Sequence, residues 1–135
     1  MSRRILLIED DAFVRDLYKT VLEKAGYFIV TASDGEEAVK VSADGKYDLV
    51  LLDIMLPKLT GIEVLKEFKQ STSDIRNTPI YLLTNLGEES IANEAKRLGA
   101  DGYLLKAKYL PKQLVAEIDK FFVKASSAPE MNNQS

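Results

Sequence analysis

Four times in this chain an unbroken apolar run stops at a polar residue. Ile5 to Ile8 precedes Glu9-Asp10-Asp11, Leu49 to Leu52 precedes Asp53, Ile80 to Leu83 precedes Thr84, and Tyr103 to Leu105 precedes Lys106. Such a run, without polar alternation, reads as a strand covered on both faces, as in a parallel sheet. Parallel neighbours need crossover connections, and helical patterns lie between the runs. Val14, Leu17, Tyr18, Val21, Leu22 and Ala25 are spaced at three and four, with Gly26 as a stop. Phe28 to Ala32 reads as another strand. Ser33-Asp34-Gly35-Glu36 has the form of a capping box opening a helix through Ala38, Val39 and Ser42. Thr60 and Glu63 offer a second box, ahead of Ile62, Leu65 and Phe68. Gln70 to Thr78 is polar and reads as a surface loop. Pro79 sits where a strand begins. Glu88 to Leu98 carries a thin stripe of Ile91, Ala95 and Leu98. Pro111 suits a first helical position, and Leu114, Ile118, Phe121 and Phe122 carry the last helix inward. Strands alternating with helices in this way predict an α/β, doubly wound parallel sheet with right-handed crossovers. Residues 1–123 form one domain on this reading. From Lys124 to Ser135 the apolar pattern stops, so a disordered tail is expected.

The polar strand ends are what a packed core would not request. In a parallel sheet all carboxyl ends lie on one edge, where ligands of open α/β sheets bind. With strand order 2-1-3-4-5 the first and third strands are neighbours. Glu9, Asp10 and Asp53 then converge, flanked by the Thr84 hydroxyl and the Lys106 ammonium. Clustered carboxylates repel, which raises a pKa or demands a cation. The chain has no histidine and no cysteine, so a metal site here is built from oxygens. That favours Mg²⁺ or Ca²⁺ over zinc. A divalent ion beside Asp53 invites a phosphoryl group, and a carboxylate is a nucleophile that needs no base. No apolar run approaches the ~20 residues of a membrane span. The net charge of −3 argues against direct nucleic-acid binding.

At this point the chain resembles the receiver domain of two-component response regulators. The resemblance is carried by Ile5-Leu-Leu-Ile-Glu-Asp-Asp11, Leu52-Asp53-Ile-Met-Leu-Pro57 with Gly61, Leu83-Thr84, Gly99-Ala-Asp-Gly-Tyr103 and Leu105-Lys106. It covers roughly residues 3 to 123. It implies a (βα)5 flavodoxin-like three-layer sandwich and a cytoplasmic phosphorelay protein. Asp53 would be the phosphoacceptor, served by a sensor histidine kinase or histidine phosphotransfer protein. Mg²⁺, with Mn²⁺ as an alternative, would be held by Asp10, Asp53 and the Met55 backbone carbonyl, and by Glu9 through water. Thr84 would close on the phosphoryl group, Lys106 would pair with it, and Tyr103 would follow Thr84 as the aromatic switch. The face of helix 4, strand 5 and helix 5 would then change to regulate a downstream protein target, as a monomer or a phosphorylation-linked dimer. The chain would be no enzyme beyond catalysing its own phosphorylation and slow dephosphorylation.

Some positions tune that expectation. In the family, residues two after the acceptor and two after the threonine govern how water reaches the acyl phosphate. Here they are Met55 and Leu86, both apolar, which predicts slow self-dephosphorylation. Asn85 stands where the family usually has a small residue. Ala107 follows Lys106 where the family usually has a proline with a cis bond, so residues 107–110 are expected to be trans and differently shaped. The alternative reading is a phosphorylation-independent receiver-like interaction module, against which the intact acidic set argues. A haloacid-dehalogenase-type phosphatase would place D-x-D after the first strand. A dinucleotide binder would need a glycine-rich loop where Glu9-Asp10-Asp11 stands.

Overall fold

The computed structural model describes residues 2–85, 87–106 and 111–133, with side chains through residue 125. Strands β1 (Arg4–Ile8), β2 (Phe28–Ala32), β3 (Leu49–Asp53), β4 (Ile80–Thr84) and β5 (Gly102–Leu105) alternate with helices α1 (Ala12–Lys24), α2 (Gly35–Ser42), α3 (Gly61–Gln70), α4 (Glu89–Arg97) and α5 (Pro111–Asn133). All pairings are parallel, in the order β2-β1-β3-β4-β5. The expected doubly wound sheet is therefore the architecture found. Leu6, Ile8, Val50, Leu52, Ile80 and Leu82 face one helical layer, with Val64 and Phe68 of α3 and Ala92 and Ala95 of α4. Ile5, Leu7, Leu49, Leu51, Leu83 and Leu104 face the other, with Tyr18 and Leu22 of α1 and Leu114, Ile118 and Phe122 of α5. Alternate residues of one strand serve opposite layers, which is why the runs carry no polar residue.

Local details differ from the sequence expectations in three places. Helix α2 is capped by Asp34, whose carboxylate accepts from the Glu37 N–H, and the Glu37 carboxylate reaches back to Ser33. The Ser33/Glu36 box is thus displaced by one residue. Lys58 lies beside both Asp34 and Glu36, at 3.4 and 3.5 Å. Within 70–78 a 3₁₀ turn, Asp74–Asn77, buries Ile75 in the core, where a surface loop was expected. The α5 backbone is helical from Pro111 to Asn133, through the stretch from Lys124 where a disordered tail was expected. The Thr60/Glu63 capping box forms as expected, with both of its reciprocal bonds present.

Candidate functional site

The carboxyl end of β1 is a turn in which each group fixes the next. The Asp11 carboxylate caps α1 by accepting from the Val14 N–H at 3.1 Å. Glu9, fully buried, accepts from the Asp11 N–H at 3.2 Å through Oε2. The Arg15 guanidinium reaches back from α1 and donates to the carbonyls of Glu9 and Asp10 at 2.9 and 3.4 Å. Among the described residues the exposed Asp10 carboxylate accepts no hydrogen bond.

Asp53 ends β3, only 3% exposed, with its carboxylate close to this turn. The Met55 N–H donates to its Oδ1 at 3.1 Å. Helix α3 starts hard against the same strand end: the Gly61 N–H donates to the Ile54 carbonyl. A Cβ on Gly61 would lie 2.6 Å from the Asp53 carbonyl oxygen and from the Ile54 Cα, so only glycine fits. Lys106 comes from the end of β5 with its backbone N–H on the Thr84 carbonyl at 2.7 Å. Its Nζ donates to Glu9 Oε1 at 2.7 Å and to Asp53 Oδ2 at 3.1 Å.

Carboxylate oxygens of Glu9, Asp10 and Asp53 lie within 4.8 Å of one another. They line a cleft of about 450 Å³ with Asp11, Val14, Tyr18, Met55, Asn85 and Lys106. Burial pushes the Asp53 carboxyl up to about 7, and hydrogen bonding and the charge of Glu9 push the same way, against Lys106 and the Met55 N–H. Burial alone would lower the Lys106 ammonium, but Glu9 and Asp53 together hold it above its ordinary value. The ammonium therefore stays charged and compensates two buried acids. A donor set of oxygens with one exposed carboxylate suits a hard divalent cation that keeps part of its water.

The cleft thus gathers Glu9, Asp10, Asp53, Met55, Asn85 and Lys106 of the expected site. It does not include Thr84 or Tyr103. The Thr84 hydroxyl is fully buried and donates to the Leu104 carbonyl at 3.5 Å. Tyr103 is half-buried and packs on the layer of α3 and α4. Leu86 and the Ala107 position lie outside the described residues. Two lining or supporting residues were not singled out from sequence. Tyr18 falls on an apolar helix stripe, and only its position shows that the ring ends at the cleft. Arg15 reads as a solvated cation until its carbonyl partners are seen.

The response regulator receiver domain profile matches residues 5–130. This chain belongs to the receiver domain family. It is 43% identical over 117 residues to the probable transcriptional regulator ycf27 of Guillardia theta, covering 87% of this chain and 44% of that protein. It is 38% identical over 136 residues to the alkaline phosphatase synthesis transcriptional regulatory protein PhoP of Bacillus subtilis, covering 98% and 55%. The chain spans about half the length of these curated relatives. Among solved structures the chemotaxis response regulator CheY4 of Vibrio cholerae superposes with a TM-score of 0.81 at 29% identity, covering 89% of this chain and 98% of that one. The receiver fold and the acidic cleft thus meet in one chain. No helix among the described residues is long and apolar enough to cross a membrane.

Proposed function

We propose that this receiver domain is a phosphorylation switch whose acceptor is Asp53. The observation that carries the reading is the juxtaposition of a buried carboxylate, two further acids and an ammonium at one sheet edge. A phosphohistidine on a sensor kinase or phosphotransfer protein is the donor. An Asp53 oxygen attacks phosphorus, the N–P bond breaks, and its electron pair returns to the donor imidazole. The buried core under β3 and the Met55 N–H hold the attacking carboxylate in place, so the chain contributes positioning more than acid–base work. Mg²⁺, bound by Asp10, Asp53 and the Met55 carbonyl, with Glu9 reached through water, would neutralise charge on the transferring oxygens. Lys106 adds a second cation at the same place.

The hydroxyl of Thr84 rests on the Leu104 carbonyl, away from the cleft. Its movement toward a phosphoryl group is the step that would release Tyr103 and shift the α4, β5 and α5 face. That face addresses a protein target. The relatives named as transcriptional regulators support a role in signal output, and the part shared with this chain is the receiver. Met55 and Leu86 offer no group to orient water, which supports a slow loss of the acyl phosphate.

Incubation with acetyl phosphate and Mg²⁺, read by intact mass, tests the reading. Wild type should gain one phosphoryl group and Asp53→Asn none. An unmodified wild type, or an equal gain in the variant, would favour an interaction module that does not use this chemistry.

A further inference from the structure

Arg15 occupies the first turn of α1, at the positive end of the helix dipole, where a cation is disfavoured. The turn itself holds no acidic residue, and the Asp11 carboxylate caps it from the position before. What the guanidinium gains there is a pair of carbonyls, those of Glu9 and Asp10, at 2.9 and 3.4 Å. These two peptide groups carry two of the three carboxylates of the cleft. The neighbouring bonds fix Glu9 and Asp11 through their side chains. Asp10 has no such bond through its carboxylate among the described residues. The guanidinium holds it through its own carbonyl instead.

We infer that Arg15 is a positioning residue for the divalent-cation site: by clamping the Glu9 and Asp10 carbonyls it presets the direction of the Asp10 carboxylate toward Asp53. The inference rests on the reading of the cleft as a metal-dependent phosphoacceptor site. Groups that orient metal ligands from behind commonly change metal affinity by 10–100-fold when removed. Both contacts come from one guanidinium nitrogen, Nη1, whose two hydrogens can serve the two carbonyls at once; a lysine ammonium on a shorter, differently shaped stem reaches them with poorer geometry. The alternative role, a through-space charge, makes the opposite prediction. Deleting a cation beside a cation site would tighten binding, whereas loosening the clamp weakens it.

The test is Mg²⁺ titration of the full chain, followed by tyrosine emission and by calorimetry. The sequence has six tyrosines and no tryptophan, and Tyr18 lines the cleft. Arg15→Ala should bind Mg²⁺ about tenfold more weakly, and Arg15→Lys should recover part of that loss. Phosphorylation by acetyl phosphate should need correspondingly more Mg²⁺, with the rate at saturating Mg²⁺ little changed. Alanine is a good helix former, so thermal unfolding in EDTA should be nearly unaffected. Should Arg15→Ala fail to fold, Arg15→Gln, uncharged with one amide to donate, should show the same weakening. Unchanged or tighter Mg²⁺ binding in the folded variants overturns the inference. Asp53→Asn and Asp10→Asn serve as references. If wild type binds no Mg²⁺, or these two bind like wild type, the metal-site reading itself fails and the inference with it.

Discussion

Replacing Asp53 by asparagine should stabilise the metal-free protein at alkaline pH, although it removes the proposed acceptor. The folded protein raises this carboxyl from 3.8 to about 7, first by burial and then through Glu9. A tenfold change in an ionisation constant corresponds to about 1.4 kcal/mol, so ionising Asp53 in the folded state costs up to about 4 kcal/mol relative to the unfolded chain. The raised folded pKa sets the sign. The contribution is fully present below the unfolded pKa near 4 and is lost as pH rises through about 7. Wild type in EDTA should therefore weaken between about pH 4 and pH 7 through this group and level off above. Asparagine has no charge to ionise, and the attraction of Lys106 at 3.1 Å is already contained in the net rise of the carboxyl. The expected advantage of Asp53→Asn at pH 8 is up to about 4 kcal/mol, shrinking toward zero near pH 4. Urea unfolding at several pH values in EDTA, with unchanged slope against denaturant, measures it. Saturating Mg²⁺ should reverse the order, because only wild type keeps the full ligand set. A variant no more stable than wild type at pH 8, or a difference that ignores pH, would refute the electrostatic argument.

Lys106→Met should destabilise the metal-free protein by about 3 kcal/mol at pH 8, because Glu9 and Asp53 lose their shared cation. The loss should be smaller at pH 6 and in excess Mg²⁺, by the same unfolding assay. Gly61→Ala should cost at least about 2 kcal/mol by forcing α3 away from the Asp53 and Ile54 backbone, and should lower acetyl phosphate reactivity in step. Thr60→Ala removes half of the α3 capping box and should cost about 1 kcal/mol in thermal or urea unfolding, with phosphorylation retained.

The strands were readable because a sheet covered on both faces leaves long apolar runs, and Asp53 stood out because it breaks one. The caps were readable only where the choice was single. Thr60 had one partner glutamate at the right distance. Ser33 and Asp34 stood side by side before Glu36 and Glu37, and two overlapping boxes with the same spacing cannot be told apart by spacing alone. Ile75 was invisible because one apolar residue in a polar stretch has no period to reveal it. Arg15 and Tyr18 were missed for a related reason: each follows the ordinary pattern of its helix, and its role depends on atoms contributed by the turn above it. The site was legible as a set of strand ends. The resting place of the Thr84 hydroxyl was not, since either neighbouring carbonyl or cleft could have taken it.

Every residue of β3, Asp53 included, is buried, and the strand is paired on both sides by β1 and β4. Amides in such a place exchange with solvent only when the whole molecule opens, while turns at the sheet edge open far more often. The carboxylate proposed as acceptor should thus sit on the slowest-exchanging part of the chain, and Asp10 and Lys106 on faster ones. Local opening would then scatter the partners many times over without moving Asp53, so the place of the proposed phosphoryl group would last as long as the folded molecule itself.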